Sequence, residues 1–134
     1  MTSIQTTAMR PLRVLVADDN PVNLRVATRV LREMGHSGVL VTDGQKAIKA
    51  LEAQAFDLCL FDVTMPEMDG LQAVAELRRM EARGRRKTPV IMVTAFDMPS
   101  DRARMLAAGA DGYLPKPLAA DALKAEVDRI MGNR

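Results

Sequence analysis

Two hydrophobic rhythms alternate along this chain. Val14 to Ala17, Val39 to Val41, Leu58 to Phe61, Val90 to Thr94 and Gly112 to Leu114 are short apolar runs rich in Val, Ile and Leu. Such runs read as strands buried on both faces. The longer stretches between them carry apolar residues at the spacing of a helix with one inward face. In the first, Asn20 is the expected N-cap and Pro21 takes the first helical position, where a missing N–H costs nothing. Val22, Val26, Val30 and Met34 form its stripe, Leu24 and Leu31 widen it, and Gly35 ends it. The second is capped by Asp43, with Ala47, Ile48 and Leu51 inward. A third runs from about Gly70 to Met80 with Leu71, Val74 and Leu77 inward. Ser100 is the expected cap of a fourth that carries Met105 and Leu106 and stops at Gly109, and Leu123, Val127, Ile130 and Met131 mark a fifth.

Five strands alternating with five helices predict an α/β fold, because right-handed crossovers between successive strands dictate a parallel sheet covered on both faces. Ligands of such doubly wound, three-layer sandwiches bind outside the carboxyl ends of the strands. Four runs end there in reactive polar groups. Val14 to Ala17 leads into Asp18-Asp19, Leu58 to Phe61 into Asp62, Val90 to Val93 into Thr94, and Gly112 to Leu114 precedes Lys116.

Composition narrows the class without changing this picture. A chain of 134 residues, 48% hydrophobic and 27% charged, suits one soluble domain with a real core. The formal charge of +2 is too small to imply nucleic acid. One cysteine makes no internal disulfide, and Cys59 sits inside an apolar run as a small hydrophobe. No run approaches the roughly 18 apolar residues of a membrane span, and Met1 to Met9 is no secretory signal, so a cytoplasmic location is expected.

Three carboxylates drawn together repel one another, and a hard divalent cation relieves that. With one His and a buried Cys, soft-ligand metals are disfavoured, whereas Mg²⁺ suits short Asp side chains, waters and phosphate oxygens. Three Asp at minus one and Lys116 at plus one leave minus two, the charge that Mg²⁺ neutralises. Phosphoryl transfer then becomes chemically available. Asp62 would be the nucleophile that forms an acyl phosphate, Lys116 the cation and the Thr94 hydroxyl a directional donor.

Val14-Leu15-Val16-Ala17-Asp18-Asp19, Phe61-Asp62 with Met65-Pro66-Glu67-Met68-Asp69-Gly70, Val93-Thr94-Ala95 and Leu114-Pro115-Lys116-Pro117 together resemble a response-regulator receiver domain of the CheY-like kind. The resemblance covers residues 12 to 132 and leaves 1 to 11 as a flexible tail. It implies a flavodoxin-like five-stranded parallel sheet of order 2-1-3-4-5. It also implies Asp62 as phosphoacceptor, Asp19 as a direct ligand of Mg²⁺, Asp18 as a ligand through water and Thr64 as a ligand through its backbone carbonyl. Thr94 and Tyr113 fall at the switch positions, and the Lys116-Pro117 bond would be cis. In the mechanism implied, phosphorylation draws Thr94 and Lys116 toward the phosphoryl oxygens and turns Tyr113 inward. The surface of the fourth helix, fifth strand and fifth helix then changes its affinity for a downstream protein.

The expected phosphodonor is a histidine kinase or a histidine phosphotransfer domain, as in two-component systems, with possible dimerisation on phosphorylation. No direct DNA binding is expected, since no helix-turn-helix region follows. Asn20, Pro21 and Asn23 are similar to the same positions in receivers of hybrid histidine kinases; a stand-alone regulator fits equally. Two rivals remain. A phosphatase of the haloacid dehalogenase group would need a second acid, which Asp62-Val63-Thr64 lacks. A phosphate-independent interaction module would have no need of the intact acid set. Neither Thr64 nor Phe96, the rate-tuning positions of the family, would orient an attacking water, so an acyl phosphate lasting minutes or longer is expected. His36 is read as an exposed turn residue, and Arg78, Arg79, Arg83, Arg85, Arg86 and Lys87 as solvated surface.

Overall fold

The apolar runs form strands β1 (Arg13–Ala17), β2 (Ser37–Val41), β3 (Leu58–Asp62), β4 (Val90–Thr94) and β5 (Gly112–Pro115). Helices α1 (Pro21–Glu33), α2 (Gly44–Ala53), α3 (Gly70–Glu81), α4 (Pro99–Ala108) and α5 (Ala120–Val127) alternate with them, and a π-helical turn, Asp128–Gly132, follows α5. The computed structural model describes residues 11–95 and 99–132. All strands pair in parallel in the order β2-β1-β3-β4-β5. Phe96 and residues 1–10 of the expected tail lie outside the described residues.

Strand alternation divides the core. Leu15, Ala17, Cys59, Phe61, Val90 and Met92 face α2, α3 and α4, packing on Ala47, Leu51, Val74, Leu77 and Met105. The intervening Val14, Val16, Leu58, Leu60, Ile91 and Val93 face α1 and α5, packing on Val30, Leu31, Leu123 and Val127. Burying each of the larger side chains stabilises the fold by about 1.5–3 kcal/mol. Since β1, β3 and β4 are the inner strands, their carboxyl ends, with Asp18, Asp62 and Thr94, are held by packing on both faces.

Local signals account for the helix starts. The Asn20 side chain accepts from the backbone N–H groups of Val22 and Asn23, with Pro21 behind it, and Asp43 accepts from Lys46. Asp69 forms a full capping box with Gln72. One expected cap is displaced: α4 starts at Pro99, so Ser100 lies inside its first turn. A proline fits that first position for the reason that Pro21 does.

Several burial expectations fail for identifiable reasons. Strand β2 is an edge strand, exposed or half-exposed along its length, because only β1 pairs with it. Val22 is 54% exposed, and Ala27 completes the inner face of α1 with Val30 and Leu31. Leu106 on α4 is 51% exposed. His36 is buried, not exposed: after Gly35, at φ +86°, the chain turns back and the backbone N–H of Leu12 donates to His36 Nδ1 at 2.9 Å. Arg78 is no solvated charge either. Its guanidinium donates to the carbonyls of Gly109 (3.0 Å) and Thr88 (2.8 Å) and to the carboxylates of Glu81 and Asp111 (2.8 Å each). The last turn of α3, the approach to β4 and the end of α4 are thereby joined through one side chain.

The outer edge of β5 is closed by side chains of α5 and the turn after it. Glu126 accepts from the backbone N–H of Tyr113 at 3.2 Å, and Arg129 donates to the carbonyl of Asp111 at 2.8 Å.

Candidate functional site

Asp62 ends β3, and the loop that follows is held against it. The N–H of Gly70 donates to Val63 O at 3.0 Å, and a Cβ on Gly70 would stand 2.2 Å from the carbonyl oxygen of Asp62. Only glycine admits that approach. Glu67 takes a positive φ of 65° in the same loop, whose Met68 carbonyl accepts from the N–H of Gly44 at 3.0 Å. The loop thus reaches α2 and leaves Thr64 exposed beside Asp62.

Asp18 and Asp62 are each 5% exposed, while Asp19 faces solvent. Carboxylate oxygens of all three lie within 4.8 Å of one another. Lys116, half-buried beyond β5, places Nζ 3.0 Å from Asp62 Oδ2 and 3.7 Å from Asp18 Oδ2. Its backbone N–H donates to Thr94 O at 2.8 Å, which fixes it to the end of β4. The Lys116-Pro117 bond is cis.

Burial pushes the Asp62 carboxyl above the ordinary carboxylate range. The hydrogen bond from Lys116 opposes that rise, and the negative charge of Asp18 adds to it. The Thr64 N–H, 3.3 Å from Asp62 Oδ1, contributes a smaller opposing effect. A cation added here would meet two desolvated carboxylates and one exposed carboxylate. Mg²⁺ takes oxygen ligands, and three carboxylates whose oxygens lie within 4.8 Å of one another supply an all-oxygen donor set that fits a hard ion.

Two contacts on Asp18 were not foreseen. Its Oδ1 accepts from the backbone N–H of Asn20 at 2.9 Å and from the Asn23 side-chain amide at 3.4 Å. An amide three residues into a helix that follows an acid pair was the available signal. A cavity of about 30 Å³, room for one or two waters, lies among Asp18, Asn23, Asp62, Lys116 and the apolar side chains of α1 and β1.

Thr94 is buried at the end of β4 and lines a neighbouring cleft of about 440 Å³ with Thr64, Met65, Asp69, Asp101 and Met105. Tyr113 is half-buried on β5, in register with Met92, and packs against the core on the α4 side. The structure therefore brings Asp18, Asp19 and Asp62 together with Lys116 paired to Asp18 and Asp62, while Thr94 lines the neighbouring cleft and Tyr113 lies on β5.

Residues 14–128 match the response regulator receiver domain. The chain belongs to this family. The receiver is 43% identical over 110 residues to the sensor protein GacS of Pseudomonas syringae pv. syringae, an overlap of 81% of this chain and 12% of that protein. It is 39% identical over 116 residues to the transcriptional regulatory protein TcrA of Mycobacterium tuberculosis, covering 87% and 44% respectively. The chain spans less than half the length of either relative. The receiver domain of the sensor histidine kinase PA1611 from Pseudomonas aeruginosa PAO1 matches with a TM-score of 0.82 and 35% identity, covering 92% of this chain and 100% of that one. That crystal structure holds a magnesium ion coordinated in its active site cleft. Among the described residues of the receiver, no helix is long and apolar enough to cross a membrane.

Proposed function

We propose that this receiver accepts a phosphoryl group on Asp62 and that the resulting aspartyl phosphate changes what the protein binds. The observation that carries the reading is the Lys116 ammonium 3.0 Å from a buried Asp62 carboxylate inside a three-acid cluster. In the transfer, an Asp62 oxygen attacks phosphorus. The bond from phosphorus to the donor's imidazole nitrogen breaks, and the electron pair leaves with that nitrogen. Lys116 holds charge against the phosphoryl oxygens, and the Thr94 hydroxyl donates to one of them. Asp18, Asp19, Asp62 and the Thr64 carbonyl would hold Mg²⁺, which when bound neutralises charge between the carboxylate and the phosphoryl oxygens. Asn20 and Asn23 keep Asp18 turned toward the site.

The phosphodonor in this reading is a histidine kinase or a histidine phosphotransfer domain. In this reading the surface that responds is α4, β5 and α5, where Tyr113 sits, and its partner is a downstream protein or a second copy of the chain. Thr64 offers no acid or amide to orient water, so the acyl phosphate has a half-life of minutes or longer.

Incubation with acetyl phosphate and Mg²⁺, followed by intact mass, tests the reading. A single added phosphate that disappears in Asp62→Asn supports it; none in the native protein, or equal uptake in the variant, overturns it. Continuous release of phosphate from simple phosphoesters would favour an Asp-nucleophile phosphatase instead. Partner binding unaffected by phosphorylation would favour a passive interaction module.

A further inference from the structure

Arg102 lies on the exposed face of α4 with its guanidinium carbon 5.0 Å from the centre of the Tyr113 ring. A cation at that distance over an aromatic face is held by the ring quadrupole. The ring belongs to β5, and the backbone N–H of Tyr113 is itself fixed by Glu126 of α5. Three elements of one surface thus converge on this residue. Met105 is the one buried side chain among residues 101–108 of α4, whereas α5 buries Leu123 and Val127.

From this we propose that Arg102 is a positioning residue which clasps Tyr113 in the resting protein and sets how readily the ring turns. The proposal rests on the reading of Tyr113 as a switch. A contact present in one of two states shifts their ratio by its own free energy and nothing more. For a partly exposed cation over Tyr, that is about a two- to fivefold bias toward the resting position. By reciprocity, removing the clasp tightens the binding of any phosphoryl mimic that favours the turned ring by the same factor. Arg102 would thereby tune the threshold of the response through the Tyr113 ring. Lysine in its place retains charge but loses the planar stack, so its effect would be intermediate.

The chain has one tyrosine and no tryptophan, so its intrinsic fluorescence reports Tyr113 alone. Native protein, Arg102→Met and Arg102→Lys are titrated with beryllofluoride in Mg²⁺ while tyrosine emission is followed. We expect the resting emission of Arg102→Met to move toward that of the saturated native protein, and its midpoint to fall two- to fivefold. Arg102→Lys would lie between, and the midpoint shift would vanish in a Tyr113→Ala background, read by calorimetry. Identical resting emission and midpoint in native and Arg102→Met overturn the proposal, as does a midpoint shift that persists without Tyr113. Native emission that ignores beryllofluoride, in protein that takes up one phosphate by mass, overturns both the clasp and the Tyr113 switch and leaves Asp62 as acceptor. No uptake of phosphate at all defeats the acceptor reading, and the clasp with it.

Discussion

The Lys116 ammonium stands 3.0 Å from Asp62 Oδ2, yet the Asp62 carboxyl remains above the ordinary carboxylate range. Desolvation therefore outweighs the ion pair. A carboxyl raised in the folded state adds stability below its unfolded pKa, near 3.8, and loses it as pH rises through the folded value. At neutral pH and without metal, the ionised Asp62 is a cost to the fold. Asp62→Asn should then gain about 0.5–2 kcal/mol in urea denaturation at pH 7 in EDTA, with a smaller gain at pH 4. Lys116→Met should lower stability at pH 7 and leave it nearer native at pH 4. A native protein more stable than Asp62→Asn at pH 7 would refute this balance.

The same repulsion should make Mg²⁺ a stabilising ligand. A site that exists only in the folded protein gains about 1.4 kcal/mol when free Mg²⁺ is ten times Kd. Differential scanning fluorimetry should show a rise of roughly 4–7 °C at that concentration. Asp19→Asn should abolish most of it, since Asp19 is the exposed member of the acid set. Its own effect on metal-free stability should be small, within about 0.5 kcal/mol. An equal shift in the variant would place the ion elsewhere.

Far from the acids, Arg78 should matter for stability. Replacing it by Met leaves Asp111 to Lys87 and the Val90 N–H and Glu81 to the Thr88 N–H, takes the guanidinium from both carboxylates and removes donors from Gly109 O and Thr88 O. Breaking such a partly buried network costs about 2–4 kcal/mol. Lysine cannot reproduce the fork and should recover under half of that. Hydrogen exchange should localise the loss to the end of α4, because Arg78 holds the carbonyl of Gly109, which sits at φ +114° so close to the Arg78 stem that a Cβ there would stand 2.9 Å from Cγ. A uniform increase in exchange across the sheet would instead mean that the network supports the whole domain.

The order of strands and the positions of Asp18, Asp19, Asp62 and Lys116 were legible because each closes an apolar run, and run length and polarity are local properties. Burial at the sheet edge was less so. Val39 to Val41 looks like an inner strand, and only pairing shows that β2 has one neighbour. Arg78 shows the same limit in a charged residue. It lies in a basic stretch indistinguishable from a solvated one, and its partners Thr88, Gly109 and Asp111 are 10, 31 and 33 residues away. Asn23 was visible as a residue, but its contact with Asp18 depends on the angle at which α1 leaves β1, which no spacing encodes.

His36 gives the clearest pH dependence outside the acid cluster. Because Leu12 N–H donates to Nδ1, the neutral ring carries its proton on Nε2, which is buried and has no partner among the described residues. Protonation would need Nδ1 to give up its acceptor role, and burial lowers the pKa of the ring below 6.5, with the Asp57 charge opposing. A group depressed in the folded state contributes stability above its unfolded pKa and loses it as pH falls through the folded value. Stability should therefore decline below about pH 6.5, beginning where Leu12 leads into β1. His36→Asn keeps an acceptor and cannot titrate, so its urea midpoint should be flatter than that of the native protein between pH 7 and pH 5. His36→Ala leaves the Leu12 N–H unpaired and should cost about 1–3 kcal/mol at pH 7.5. Parallel pH profiles for native and His36→Asn would assign the acid sensitivity to other groups.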